Sequence, residues 1–271
     1  MPMGFLQLEE AQRVPEIHVF VVDASGRMGA MSRRILLLPG FSCDGDCLAE
    51  LHQAFTAKWP DRPTVVADFS RDETLEEMAT NVRELIAEAP SILVGLSMGG
   101  WIAQVVAASR NDRVRGMILM SSWTIAEPSY LEIVRTLHDR IRGGERLRDL
   151  RTEVRSGFHD TEQADRLADR WLAMAERTGT DAFLRQTAAI LATPDVSSFA
   201  RAVRCPTLAI AGANDGLVSP SSQRDAANVL SARFELVEDS GHNVDWERPN
   251  EVKRLVLGWL EGIEGDPALP D

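Results

Sequence analysis

One segment of the chain places a serine where nucleophilic catalysis would need it. Ser97 lies at the centre of Gly95-Leu96-Ser97-Met98-Gly99, after a short apolar run and before an amphipathic pattern that begins near Trp101. Glycines on both sides of such a serine leave room for a sharp strand-to-helix turn. A serine hydroxyl is a weak nucleophile until a neighbouring base takes its proton. The segment therefore predicts a nucleophilic serine that needs a base and an acid from elsewhere in the chain.

Two later residues supply those side-chain types. Asp215 follows one apolar run, inside a Gly-Ala-Asn-Asp-Gly sequence that is also an ordinary turn signal. His242 follows the next run, beside Gly241, and it differs from the other four histidines in lying in a loop after a core strand. The order Ser97, Asp215, His242 is that of one triad-bearing fold, although each residue alone also has a structural explanation.

Six short apolar runs separate the amphipathic segments and would have to position these side chains. Runs of this length without strict alternation are typical of strands that are covered on both faces. Strands that alternate with helices predict a mainly parallel sheet with its ligands at the carboxyl ends of the strands. The six runs are residues 35–38, 64–67, 92–94, 116–120, 208–211 and 234–237.

The pattern divides the chain into four parts. Residues 34–122 and 203–262 are predicted to form an α/β core. Residues 123–202 contain helical patterns around 131–141, 164–174 and 183–190, with no convincing strand, and are predicted to form an inserted helical cap. Residues 1–33 are an N-terminal segment with a possible edge strand at 17–22, and residues 263–271 are predicted to be a tail.

Taken together, these motifs resemble the α/β-hydrolase family. The resemblance covers about residues 34–261 and rests on Leu38–Phe41, Gly95–Gly100, Gly212–Asp215 and Ser240–His242. More narrowly, the chain is similar to small bacterial esterase-like or lactonase-like hydrolases with a helical cap. The resemblance implies the α/β-hydrolase fold, with a mainly parallel central sheet and helices on both of its faces. It also implies Ser97 as nucleophile, His242 as general base and Asp215 as the acid that orients the histidine.

The same resemblance suggests where the oxyanion and the substrate would lie. The backbone N–H groups of Met98 and Phe41 are the expected oxyanion donors. Many relatives have His-Gly where this chain has Pro39-Gly40, a difference that leaves the backbone donor in place. Ser42 and Trp123 are predicted to lie at the substrate pocket, which we expect to favour an apolar acyl or alcohol group.

These observations favour a serine hydrolase that cleaves a carboxylic ester, lactone or thioester through an acyl-enzyme. Dehalogenases and epoxide hydrolases of this fold need a carboxylate at position 97 and are disfavoured. Lyases, perhydrolases and carbon–carbon bond hydrolases retain the serine and stay open. A receptor-like module that binds a ligand with a vestigial triad is a further alternative.

Composition limits the partners. The formal charge of -12 disfavours nucleic acid and anionic membranes, so a small-molecule substrate is expected. Nothing in the sequence predicts the oligomeric state.

The three cysteines, Cys43, Cys47 and Cys205, indicate neither a disulfide framework nor a metal site. There is no dinucleotide-binding motif, so neither a metal nor an organic cofactor is expected. The sequence has neither a signal-peptide pattern nor a long apolar run, and this predicts a cytoplasmic protein.

Overall fold

The computed structural model describes residues 34–87, 89–159 and 162–264. The predicted edge strand at 17–22 and residues 265–271 of the predicted tail lie outside the described residues. Each of the six predicted apolar runs contains a strand. The strands are β1 (Arg34–Leu38), β2 (Thr64–Val66), β3 (Ser91–Leu96), β4 (Val114–Met120), β5 (Thr207–Gly212) and β6 (Arg233–Val237).

The six strands form one sheet in the order β2-β1-β3-β4-β5-β6, and every neighbouring pair is parallel. The last residues of adjacent strands are in register: Leu38 pairs with Gly95, Leu96 with Met120, and Gly212 with Val237. The residues that follow the strands therefore emerge at one edge of the sheet. The predicted α/β-hydrolase fold is confirmed.

Helices connect the strands and cover the sheet. They are α1 (Ala49–Lys58), α2 (Leu75–Leu85), α3 (Met98–Ser109), α4 (Pro128–Arg142), α5 (Arg151–Ser156), α6 (Ala164–Thr178), α7 (Thr180–Ala192), α8 (Ser197–Ala200), α9 (Pro220–Val229), α10 (Val244–Glu247) and α11 (Pro249–Glu264). Within the described part of the chain, no helix is both long and apolar enough to cross a membrane.

Alternate strand residues bury their side chains on opposite faces of the sheet, as the two-residue period of a strand requires. Ile35 and Leu37 belong to the apolar cluster that contains the buried faces of α1 and α11. Leu36 and Leu38 belong to the cluster that contains the buried faces of α2 and α3. Burial on both faces explains why the strand sequences are continuous apolar runs.

Helices α4 to α8 lie between β4 and β5, and we refer to residues 123–202 as the helical insertion. Its two ends meet at an antiparallel bridge between Ile125 and Asp195. Next to this bridge, the N–H of Ala126 donates to the carbonyl of Pro194 at 2.7 Å. Helices α4, α6 and α7 occupy the three stretches in which the sequence predicted helices. The chain therefore passes the same point on its way into α4 and on its way out of α7, and residues 196–206 then carry it to the opposite edge of the sheet, where β5 begins.

Candidate active site

Ser97 occupies a strained turn between β3 and α3. Its backbone has φ 52° and ψ −115°, a left-handed φ that a residue with a side chain rarely adopts. Two hydrogen bonds hold the turn: the N–H of Ser97 donates to the carbonyl of Met120 at 2.8 Å, and the hydroxyl of Ser122 donates to the carbonyl of Ser97 at 2.9 Å. Such strain persists where surrounding contacts fix it, and it is often found at functional sites.

Close backbone contacts explain the glycines around Ser97. A Cβ on Gly95 would lie 2.4 Å from the nitrogen of Gly100, and a Cβ on Gly99 would lie 1.9 Å from the carbonyl oxygen of Leu38. Neither backbone atom can move aside as a flexible side chain could. The turn therefore requires glycine at both positions, which accounts physically for the spacing seen in the sequence.

The fold brings Ser97, His242 and Asp215 together from the ends of β3, β6 and β5. The Ser97 Oγ lies 2.9 Å from Nε2 of His242, and Nδ1 of the same ring lies 2.8 Å from Oδ2 of Asp215. All three residues are buried, with relative exposures of 4%, 6% and 6% for serine, histidine and aspartate. The side chains form one continuous chain of hydrogen bonds.

The surroundings of Asp215 determine the direction of these hydrogen bonds. Its Oδ1 accepts from the N–H groups of Leu217 and Val218 at 2.9 and 3.0 Å. Its Oδ2 accepts from Nε2 of Gln223 at 2.8 Å as well as facing the histidine. A carboxylate is an acceptor only, so Nδ1–H of His242 donates to it. That tautomer leaves Nε2 free to accept the hydroxyl proton of Ser97.

The histidine loop is anchored to the helical insertion. The backbone N–H of His242 donates to the carbonyl of Gly157 at 2.8 Å. One carboxylate, that of Glu247, accepts from the N–H groups of both His159 and Gly241, each at 2.8 Å. Burial raises the pKa of Glu247, while these two backbone hydrogen bonds oppose the rise. The position of the imidazole thus depends on contacts from the insertion as well as from the core.

The loop after β1 approaches Ser97 from the other side. A Cβ placed on Gly40 would lie 3.6 Å from the Cβ of Ser97, so the loop and the turn are in direct contact. Met98, whose N–H is the other expected oxyanion donor, is the first residue of α3. The N–H of Ser42 donates to Oε1 of the buried Gln186 at 2.6 Å. This glutamine, on α7, fixes the loop that carries Phe41.

A cavity of about 170 Å³ opens beside Ser97 and His242. The core contributes Phe41 and Leu217 to its lining. Most of the remaining apolar lining comes from the insertion, namely Ile133, Val134, Leu137, Leu150, Val154 and Trp171. Glu153 brings a carboxylate to the wall: one of its oxygens is paired with Arg140, and the other is buried with no hydrogen-bond partner among the residues that the structure describes. The cavity suits a small, mainly apolar ligand.

Two sequence predictions about the pocket do not match this lining. Trp123 is fully buried, with its ring stacked on Trp101 at 6.2 Å and tilted against Tyr130 at 4.7 Å between centroids. Packing a large indole against α3 buries more apolar surface than exposing it at the cavity would. Ser42 is also fully buried, and its N–H faces Gln186 rather than the cavity. Neither residue lines the cavity, whereas Phe41 does.

Sequence reasoning missed several residues that the structure places at the site. Tyr130 lines the cavity next to Ser97, and Gln223, Gln186 and Glu247 support the aspartate, the β1 loop and the histidine loop. A signal for Tyr130 was present: it precedes Val134 by four residues and Leu137 by seven, so it shares their face of a helix. The supporting glutamines and Glu247 carry no such signal.

A buried acid lies just beyond the histidine. Asp245, on α10, is 1% exposed, and neither carboxyl oxygen has a hydrogen-bond partner in the described part of the chain. Burial raises its pKa to about 8, and the negative charge of Glu50 adds to the rise. Within residues 34–87, 89–159 and 162–264, no cluster of histidine, cysteine and acidic side chains has the arrangement needed to hold a metal ion.

The parallel sheet and the hydrogen-bonded serine, histidine and aspartate are together typical of α/β hydrolases. Comparison with known protein families gives the same class. A model of the alpha/beta hydrolase family matches residues 3–255. Because this match spans most of the 271 residues, the chain belongs to the alpha/beta hydrolase family.

Two similar proteins are pimeloyl-[acyl-carrier protein] methyl ester esterases. The one from Stenotrophomonas maltophilia is 28% identical over 247 residues, which cover 84% of this chain and 93% of that protein. The one from Neisseria meningitidis is 21% identical over 248 residues, which cover 87% of this chain and 79% of that protein. The chain is therefore an alpha/beta hydrolase with esterase relatives.

Solved structures share the fold. The enol-lactonase of Burkholderia xenovorans aligns with a TM-score of 0.74 at 20% identity, covering 85% of this chain and 92% of that one. A thermophilic esterase from Thermogutta terrifontis aligns with a TM-score of 0.70 at 22% identity, covering 86% and 90%. At these identities the likeness concerns the fold alone.

Proposed function

We propose that the protein is a serine hydrolase that cleaves the ester bond of a small, mainly apolar carboxylic ester, lactone or thioester. The observation that carries the proposal is the hydrogen-bonded chain from Ser97 through His242 to Asp215, at the wall of an apolar cavity. The esterase names of the sequence relatives support the choice of an ester bond. No cofactor takes part in the proposed reaction.

The reaction begins when His242 takes the hydroxyl proton of Ser97 at Nε2. The serine oxygen then attacks the carbonyl carbon, and Asp215 stabilises the imidazolium that forms. The N–H groups of Phe41 and Met98 stabilise the negative charge on the carbonyl oxygen. Loss of one such donor typically lowers the rate by about 10²- to 10³-fold.

The tetrahedral intermediate collapses with transfer of the proton from Nε2 of His242 to the alkoxy oxygen. The carbon–oxygen bond to the alcohol breaks, and the acyl group stays on Ser97. A water molecule then gives a proton to Nε2 of His242 and attacks the acyl carbon. The bond from that carbon to Oγ of Ser97 breaks, His242 returns the proton to Oγ, and the carboxylic acid leaves. The helical insertion acts as a cap, because it supplies most of the apolar wall around the acyl group.

A fluorophosphonate probe tests the proposal directly. We expect intact-protein mass spectrometry to show one adduct, and peptide mapping to locate it on Ser97. Ser97→Ala should abolish the adduct and lower the turnover of p-nitrophenyl butyrate by roughly 10⁴-fold or more. Ser109→Ala is the matched control, because this serine lies at the far end of α3 and outside the lining of the cavity, where its hydroxyl donates to backbone carbonyls of its own helix and accepts from Nε of Arg83.

Two outcomes would contradict the proposal. A folded wild-type protein without an adduct would remove Ser97 as a nucleophile. An adduct on Ser97 without turnover of any ester, together with thermal stabilisation by ester ligands, would instead indicate a binding module with a reactive but non-productive serine.

A further inference from the structure

A buried phenol at the cavity wall has no role in the reaction described so far. Tyr130 lies in the first turn of α4 and is 2% exposed, yet its hydroxyl has no hydrogen-bond partner among the described residues. A buried hydroxyl without a partner is unfavourable, because it has lost its hydrogen bonds to water and gained none in return. Because Tyr130 lines the cavity together with Ser97 and His242, a substrate bound there can supply the missing partner.

The ring of Tyr130 is held firmly. It packs against Trp123 with 4.7 Å between centroids, and Trp123 in turn stacks on Trp101 of α3 at 6.2 Å. The aromatic stack runs from the helix that follows Ser97 to the wall of the cavity. The hydroxyl therefore has a fixed position beside the reacting atoms, as a donor in a preorganised site requires.

The environment of the phenol keeps its proton in place. Burial raises the pKa of Tyr130 well above its ordinary value, and the negative charge of Asp215 adds to the rise. The nearby hydroxyl of Ser97 opposes it, although the two hydroxyls do not form a hydrogen bond. Tyr130 thus remains a hydrogen-bond donor over the whole working range of pH.

A contact at the start of α4 shows which side of Ser97 the phenol occupies. The oxyanion loop follows β1, which lies on one side of β3. On the opposite side of β3, where Asp215 and His242 follow β5 and β6, Glu127 holds the start of α4 by accepting from the N–H of Ser219 at 2.9 Å, and Tyr130 is three residues further on. In the proposed reaction the departing alcohol receives its proton from His242, so the alkoxy oxygen lies on this same side.

On this geometry, and given the proposed ester hydrolysis, we propose that the Tyr130 hydroxyl donates a hydrogen bond to the alkoxy oxygen of the ester as the alcohol departs from Ser97. The phenol keeps its own proton, and His242 delivers the proton that ends on the alcohol. Tyr130 stabilises the negative charge that develops on the alkoxy oxygen while the carbon–oxygen bond breaks. The substrate class is an ester whose alcohol is a poor leaving group, such as an alkyl ester or a lactone.

The test compares esters that share one acyl group and differ in the alcohol. We expect Tyr130→Phe to lower kcat/KM by about 10- to 100-fold for ethyl butyrate, because a hydrogen bond to a charged group is lost. For p-nitrophenyl butyrate the fall should be about threefold or less, because its leaving group needs little stabilisation. The acyl-enzyme is the same for both esters, so the difference arises in acylation.

The control variant is Val134→Ala, which alters the same wall one turn further along α4 without removing a polar group. We expect it to affect the two esters by similar factors. Equal factors for both esters in Tyr130→Phe, or no change with either ester, would overturn the proposal. Fluorophosphonate labelling of the same preparations keeps the two hypotheses apart: an unlabelled wild-type protein contradicts the serine mechanism, whereas a labelled one with equal factors contradicts only the role of Tyr130.

A second measurement does not depend on the folding of Tyr130→Phe. The chain contains a single tyrosine, so biosynthetic incorporation of 3-fluorotyrosine alters this position alone. Fluorine makes the phenol a stronger donor and leaves its size nearly unchanged. We expect kcat/KM for ethyl butyrate to rise relative to that for p-nitrophenyl butyrate. An unchanged ratio would argue against donation to the alkoxy oxygen.

Discussion

Asp245 is a buried acid that should make the stability of the folded protein depend on pH. An unfolded aspartate loses its proton near pH 3.9, whereas burial and the charge of Glu50 raise the pKa of Asp245 to about 8 in the folded state. Its contribution to stability is thus fully present below about pH 4 and is lost as the pH rises towards 8. The expected slope is at most about 1.4 kcal/mol per pH unit.

We predict that Asp245→Asn makes the free energy of unfolding depend less steeply on pH. Urea unfolding at pH 5 and pH 8 should show the variant gaining roughly 3–4 kcal/mol on the wild type between the two values. Asp225→Asn, at an exposed position on α9, is the control and should follow the wild type. Parallel curves for Asp245→Asn and the wild type would show that the carboxyl is ionised in both states.

At the scale of single residues, the sequence predicted those positions whose role depends on neighbouring residues in the chain. It did not predict positions whose role depends on a distant partner. The turn around Ser97 was predictable because backbone contacts restrict Gly95 and Gly99 to glycine. Trp123 was misplaced because nothing in the local sequence shows that Trp101 provides a surface for it. Gln186 was missed because its partner, Ser42, is 144 residues away.

At the scale of elements, the contact between α3 and β1 is the one that tolerates least change. We expect Gly99→Ala to abolish ester hydrolysis and lower the yield of folded protein, because its Cβ would lie 1.9 Å from the carbonyl oxygen of Leu38. Gly258→Ala is the matched control in α11. A Cβ there meets nothing within 4 Å, so the change should stabilise the protein by about 0.5–1 kcal/mol.

Activity assays and urea unfolding of the two variants check this prediction. A folded, fully active Gly99→Ala protein would mean that α3 can move away from β1 without disturbing Ser97.

At the scale of elements, the six strands could be predicted from the sequence, because burial on both faces leaves continuous apolar runs. The way in which α4 to α7 pack around the cavity was not readable, because an amphipathic pattern shows that a helix has a buried face but not what covers it.

At the scale of the whole molecule, the formal charge of -12 should bias which esters reach the site. We expect kcat/KM for an ester with a cationic group to fall as salt is added, and that for an anionic analogue of the same size to rise, each by roughly 10-fold or less. A neutral ester serves as control. Identical salt profiles for the three substrates would show that the overall field has no influence on substrate capture.

The bridge between Ile125 and Asp195 has a consequence for how such a protein could diversify. Because the bridge joins the residues on either side of 126–194, this segment has both of its chain connections next to each other. Replacing residues 126–194 would keep the pairing of β4 with β5 and would change most of the cavity wall, including Tyr130. Specificity can thus change through one segment while the sheet is kept, provided that the new segment preserves the contacts that Gly157 and Gln186 make with the histidine loop and the loop after β1.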